Sequence, residues 1–221
     1  MEKGVMEYKI SIFGRFSYIY ANINVFAQQF IDYQKQISTD VFVNGTPVNC
    51  YHLNSNRISI NVRNERIDFE IRDIESRLDV VLDAFEKVKP FLDGGINRIA
   101  VNYNSFYVDP TGVVLKKLSN DTAFIPVDGE LNEVNVRKNY ITVYNEDKFN
   151  NIVTIQNASL QKTDSFDSFN AIALLIDVNS VVIPNGESNK KFMDNFKEYC
   201  EYLFKVSDKI YFGFDDKFGG E

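Results

Sequence analysis

Two segments in the first half of the chain alternate strictly between apolar and polar residues, and they constrain the fold more than any other feature. Residues 57–62 read Arg-Ile-Ser-Ile-Asn-Val and residues 67–72 read Ile-Asp-Phe-Glu-Ile-Arg, with four polar residues between them. Successive side chains of a strand point to opposite faces, so this period predicts strands with one buried and one solvated face. The sequence therefore predicts an antiparallel hairpin over 57–72.

Apolar residues at three- and four-residue steps predict three amphipathic helices. The first begins at Asn22 and fades near Gln36, the second covers 74–88, and the third covers 189–205. Further strands are predicted from alternation or from short apolar runs at 8–13, 41–48 (a hairpin turning at Asn44-Gly45), 96–108, 139–144, 152–156, 171–178 and 209–214.

These elements predict an α+β fold with antiparallel sheets. In the first half, the order strand, helix, hairpin, helix, strand is that of a ferredoxin-like βαββαβ fold. Segment 109–137 is rich in polar and turn-forming residues, so it predicts a connector between an α+β half over 1–108 and a second α+β half over 138–221, packed on the first. Both halves contain hairpins followed by a helix and a strand, and the sequence is also compatible with two similar halves sharing one sheet.

Composition excludes several classes of protein. The net charge of -7 disfavours nucleic acid as a partner, because such binding draws its affinity from lysine and arginine. The only cysteines, Cys50 and Cys200, lack the spacing of a zinc site or a disulfide framework and are predicted to be reduced thiols. No segment has the apolar length of a signal peptide or membrane span, so we expect a cytoplasmic protein. We expect no cofactor, because the glycines form no known phosphate or dinucleotide loop.

The only histidine, His52, is the sole candidate base for nucleophilic catalysis. Cys50 precedes it by two residues and shares its face on an extended strand, which permits a thiolate-imidazole pair. The alternative is that both residues pack within an edge hairpin, and the neighbouring Tyr51 and Leu53 favour this interpretation.

Carboxylates form the second candidate site. Asp68 and Glu70 share one strand face and Asp73 follows closely, so their oxygens are candidates to bind a hard divalent cation and support metal-dependent phosphoester hydrolysis. The alternative, which the alternation alone favours, is that they form the solvated side of an amphipathic strand. A basic-aromatic run at 15–18 is a weak signature of RNA binding and is better explained by packing at a strand end.

The run of residues 57–69, the amphipathic helix after it and segment 96–103 resemble a sporadically distributed, uncharacterised prokaryotic family that is sometimes encoded near mobile elements and defence genes. That family has a similar strand of the Arg-Ile-Gly-Leu-Arg-Tyr type after such a helix. An apolar strand ending in Asp follows, here at Asp177, and then a terminal helix and strand. Ala100 and Asn102 depart from the usual Gly and Arg of that family. The resemblance carries over no catalytic residues.

Three hypotheses about function follow. The first is a non-enzymatic binding or regulatory protein of a prokaryotic or phage conflict system, either defence or anti-defence. It would act on a protein partner or by self-association, since aromatic residues are enriched at interfaces. The second is an RNA-binding or metal-independent RNA-cleaving protein of tandem ferredoxin-like type that uses His52. The third is a metal-dependent phosphoesterase that uses Asp68, Glu70 and Asp73. We expect a protein partner or homo-oligomer, and neither a nucleic-acid nor a membrane partner.

Overall fold

The computed structural model describes residues 2–43, 46–109, 111–121, 133–161, 168–182 and 189–219. Nine strands lie within these ranges: β1 (Lys3–Gly14), β2 (Gln34–Val43), β3 (Thr46–Asn54), β4 (Ile58–Val62), β5 (Arg66–Ile71), β6 (Ile96–Val108), β7 (Asn135–Tyr144), β8 (Asp147–Gln161) and β9 (Ser168–Ser180). The α-helices within them are α1 (Ser17–Ala21), α2 (Ile23–Gln28), α3 (Arg77–Val88), α4 (Val113–Asp121), α5 (Asn189–Asp194) and α6 (Phe196–Phe214).

All nine strands belong to one sheet in the order β2-β3-β4-β5-β1-β6-β9-β8-β7, and every neighbouring pair is antiparallel. β1 and β6 pair at the centre. After β1 the chain forms helices, then the meander β2–β5, whose last strand pairs with β1, and then α3. After β6 it forms α4, then the meander β7–β9, whose last strand pairs with β6, and then further helices. The α+β class and the antiparallel sheet are thus as predicted, while the division into 1–108, 109–137 and 138–221 stays a prediction.

The hairpin over 57–72 is confirmed, with Ile58 of β4 opposite Ile71 of β5. The strand predicted at 171–178 is also confirmed, within β9, which has neighbours on both edges and is buried along most of its length. The predicted hairpin over 41–48 is present as the β2–β3 pair, although its Asn44-Gly45 turn lies outside the described residues.

The ferredoxin-like order is not found. Four strands, β2 to β5, separate the helices of the first half, whereas the ferredoxin-like order has two. The prediction of three amphipathic helices also differs from the structure, because the described ranges contain six helices, several of them short.

The first helix was predicted to reach Gln36, but α2 ends at Gln28 and β2 begins at Gln34. Ile31, which continues the helical stripe in the sequence, is 79% exposed and therefore belongs to no buried helix face. Backbone pairing with β3 determines the structure here, which is a tertiary effect that local spacing does not contain.

The strand predicted at 209–214 is wrong, because α6 continues to Phe214. The buried residues at the end of α6 are Ser207, Tyr211 and Phe214, which recur at steps of four and three. That spacing is helical, and the apparent alternation within residues 209–214 does not determine the structure.

The core lies between one face of the sheet and the helices. Tyr8 of β1 stacks on Tyr103 of β6 with ring centroids 4.4 Å apart, and Phe204 of α6 meets Tyr8 edge-on at 5.4 Å. Phe26 of α2 packs edge-on against Tyr51 of β3 in the same way. Large buried rings in these geometries stabilise the helix layer on this face of the sheet.

The opposite face of the sheet is called here the polar face. Pairing registers align His52, Asn61, Asp68, Ser11 and Ala100 in one row across β3, β4, β5, β1 and β6. Directly paired residues of neighbouring strands point to the same face of a sheet, so this row defines the surface on which the candidate residues lie.

Candidate functional site

Asp68 is the centre of a buried ionic network on the polar face. Its side chain accepts hydrogen bonds from the Ser11 hydroxyl at 2.6 Å, from Arg63 Nη1 at 2.7 Å and from Arg66 Nε at 2.6 Å. Asp68 is only 4% exposed, and a buried carboxylate requires such charge-assisted partners. The network therefore joins β1, β5 and the turn between β4 and β5.

The carboxylates proposed for a metal site are held apart. Both oxygens of Asp68 accept bonds from arginines, and Asp73 binds Arg57 Nε at 3.1 Å and accepts from the Ser76 backbone N–H. That N–H and the Arg57 guanidinium hold the pKa of Asp73 below its usual value. Glu70 lies on the polar face opposite Ser59 of β4. Within the described ranges, no group of three metal-binding side chains converges.

His52 is held by two hydrogen bonds on the polar face. Its Nδ1 lies 2.7 Å from Asn61 Oδ1, and its Nε2 lies 2.9 Å from the Ser38 hydroxyl. An amide oxygen only accepts, so with this contact Nδ1 carries the proton and Nε2 accepts from Ser38. The arrangement has the order nucleophile, base and orienting group that hydroxyl activation requires.

Cys50 lies on the same face, with its Sγ 3.9 Å from His52 Nδ1. Its side chain is fully buried, and this burial raises the pKa of the Cys50 thiol, although the nearby Arg63 opposes the shift. A thiol with a raised pKa is protonated at neutral pH and is a poor nucleophile. The sequence correctly placed the pair on one face, but the partners of His52 are Ser38 and Asn61.

A second cluster at the end of the same face was not predicted. Phe13 of β1 lies opposite Arg66 of β5 on one side and Arg98 of β6 on the other. The guanidinium carbons lie 5.2 Å and 5.0 Å from the centroid of the Phe13 ring. The basic-aromatic run at 15–18 does not form a comparable patch, because Phe16 is fully buried in the core.

The edge of the sheet formed by β7 exposes three large apolar side chains in its second half. Tyr140, Ile141 and Val143 are 55%, 67% and 64% exposed. β7 pairs only with β8, so its other side carries backbone groups that no described strand binds. Exposed, long and apolar edges are sites of pairing with further strands.

Comparison with known proteins gives no assignment. No protein-family model matches the chain, and no curated protein matches it. Among the helices of the described ranges, none is both long enough and apolar enough to cross a lipid bilayer.

Proposed function

We propose that this protein is a non-enzymatic binding protein that associates through the β7 edge with the same edge of a second copy. The observation that carries the proposal is the exposure of Tyr140, Ile141 and Val143 along a ten-residue edge strand. Folded proteins normally protect such edges with charges, prolines or covering elements. The charges of β7, Arg137 and Lys138, lie in its first half, and no charged residue follows them within the strand.

The pattern of charges on β7 supports pairing with an identical strand. With a two-fold axis at Tyr140, antiparallel pairing places Arg137 opposite Val143 and Lys138 opposite Thr142. In this register no two like charges lie opposite each other, and such a pair would be destabilising. The new pair would also extend a sheet in which all eight existing pairings are antiparallel.

Light scattering coupled to size exclusion at micromolar concentration tests this proposal. We expect a mass twice the 25.5 kDa of one chain, and a monomer after Ile141→Lys. Burial of an isoleucine stabilises by about 1.5–3 kcal/mol, and a two-fold interface contains it twice. The substitution is therefore expected to weaken association by at least a hundredfold, since about 1.4 kcal/mol corresponds to tenfold.

Ile31→Lys is the matched control, because Ile31 is the same residue type and is more exposed. It lies between α2 and β2, and β2 is the edge strand farthest from β7. It is expected to leave the mass unchanged. A monomeric wild-type protein at micromolar concentration would rule out self-association through β7.

A second candidate is the metal-independent RNA-cleaving protein, and the Ser38–His52–Asn61 contacts favour it. The Nε2 of His52 that accepts from Ser38 is also the atom that would accept a proton from a ribose 2′-hydroxyl. Cleavage of single-stranded RNA in EDTA, lost in His52→Ala and reduced in Asn61→Ala, is the expected result. No cleavage by the wild type, or equal cleavage by His52→Ala, removes this candidate.

A role in a prokaryotic or phage conflict system is a further proposal, supported only by the pattern-level family resemblance. Recurrent proximity of related genes to mobile elements or defence genes would support it. Neighbourhoods of ordinary metabolic genes would count against it.

A further inference from the structure

We infer that the polar face binds a phosphate group at the cluster formed by Arg63, Arg66, Arg98 and Phe13, called here the arginine cluster. The four residues belong to the β4–β5 turn, β5, β6 and β1, which come together at one end of the sheet. This inference is independent of association through β7.

Arg66 is fixed in position by its neighbours. Its Nε donates to Asp68 at 2.6 Å and its Nη2 donates to the Ser11 hydroxyl at 3.2 Å, while its guanidinium lies over the Phe13 ring. A guanidinium held in this way loses little conformational freedom when it binds a ligand. Such preorganisation is the usual source of affinity for a small anion.

Arg98 lies on the other side of the same ring and is available for a ligand. Its guanidinium lies over the Phe13 ring, and it forms no ion pair with a carboxylate in the part of the chain that the structure describes. Its Nε is buried without a hydrogen-bond acceptor, as is the Nε of Arg63. A cationic donor without an acceptor costs free energy, which an oxyanion that binds the guanidinium would recover.

The charge of the cluster is positive in an otherwise acidic protein. The guanidinium groups of Arg63, Arg66 and Arg98 lie at this end of the polar face, and the one carboxylate that pairs with any of them, Asp68, pairs with Arg63 and Arg66. Glu65 and Arg15, which also lie next to this end of the sheet, are exposed and carry opposite charges. The local excess is therefore two positive charges against a chain total of -7.

A phosphate group fits this cluster better than a monovalent anion. A phosphate monoester carries up to two negative charges and several acceptor oxygens, so it can accept two parallel hydrogen bonds from one guanidinium fork, here that of Arg98, beside the positive charge of Arg66. A chloride ion carries a single charge and has no such pair of acceptor oxygens.

Isothermal titration with inorganic phosphate, against sodium chloride at matched ionic strength, tests the inference. We expect a Kd of about 1 mM or tighter for the wild type, the scale of a few charge-assisted hydrogen bonds. Arg98→Gln is expected to weaken binding by about tenfold or more, because a hydrogen bond to a charged group is lost. The absence of heat beyond the chloride reference would overturn the inference.

Two variants keep the test specific. Arg98→Lys keeps the charge but loses the fork, so intermediate binding is expected, and a melting curve establishes that each variant is folded. Arg57→Gln removes an arginine that pairs with Asp73 outside the cluster, and it is expected to bind phosphate like the wild type. Equal weakening by Arg57→Gln and Arg98→Gln would indicate a non-specific charge effect and overturn the site.

The same titration with 5′-AMP and with phosphoserine distinguishes the sources of the phosphate. Tighter binding of 5′-AMP than of inorganic phosphate assigns a nucleotide, and tighter binding of phosphoserine assigns a phosphorylated protein. Equal affinity for all three assigns the free ion. Each of these outcomes supports a phosphate site.

Discussion

Asp68→Asn removes a carboxylate that three donors share, while it keeps the size and shape of the side chain. The amide oxygen can still accept one or two of the bonds from Ser11, Arg63 and Arg66. The amide nitrogen, however, is a donor and then faces a guanidinium donor. Both ion pairs of Asp68, with Arg63 and with Arg66, are lost, and the partly buried guanidinium groups keep their desolvation cost without compensation.

The magnitude follows from the burial of the partners. Removal of one partner from a fully buried ion pair costs about 3–5 kcal/mol. The side chains of Arg63 and Arg66 retain 24% and 34% of their exposure, so water recovers part of this cost. We expect a loss of about 2–4 kcal/mol, which for a chain of this length lowers the Tm by roughly 5–15 °C.

Urea unfolding and thermal melting of Asp68→Asn and Asp73→Asn together measure the effect. Asp73 also pairs with an arginine, Arg57, but both side chains are much more exposed than that of Asp68. Asparagine at position 73 can still accept from the Ser76 N–H, so its Tm is expected to match the wild type within error. Equal losses in the two variants would refute the reasoning that burial makes the Asp68 network important for stability.

Further predictions concern the core and the titration of buried groups. Gly14→Ala places a Cβ 2.5 Å from the Gly95 carbonyl oxygen and is expected to destabilise the fold by about 1–3 kcal/mol. A Cβ at Gly213 in α6 meets nothing within 4 Å, so Gly213→Ala is expected to stabilise the fold by about 0.5–1 kcal/mol. Chemical denaturation of both variants measures the two effects. Phe85→Ala removes a ring stacked on Phe196 and is expected to cost about 3–5 kcal/mol in the same assay. Burial raises the pKa of seven tyrosines above the ordinary value near 10, so the folded state holds these protons more tightly and its stability falls as the pH rises above about 10. Absorbance at 295 nm is expected to show these residues ionising only as the protein unfolds, and ionisation of all tyrosines at pH 10 in the folded state would contradict this. The seven tyrosines with a raised pKa are Tyr8, Tyr20, Tyr33, Tyr51, Tyr103, Tyr107 and Tyr199, and the pKa of Tyr20 is raised to about 12.

Local patterns predicted those elements whose buried face is continuous in the sequence. Each strand of the hairpin over 57–72 alternates without interruption, and α3 follows a single apolar stripe, so period and structure agree. The segment after Gln28 was assigned wrongly, because its strand forms by pairing with β3, and the exposed Ile31 resembled the continuation of a helix. Pairing between strands is a property of the whole chain and is not encoded in a window of ten residues.

The same limit applies to the candidate sites. His52 and Asp68 were recognised as single residues, but Ser11, which donates to Asp68, is 57 positions away in the sequence. Likewise Arg98 meets Phe13 only because β1 and β6 are neighbours in the sheet. The alternation of each strand gives the face of a side chain, and only the strand order shows which side chains share that face.

The central position of β1 has a consequence for how the chain is made. β1 keeps two open edges until β5 and then β6 have been synthesised, because its partners lie about 60 to 100 residues further along the chain. Pairings this distant in sequence make folding slow. The apolar side chains of β1 are therefore expected to stay exposed, and prone to aggregation, until translation has passed β6.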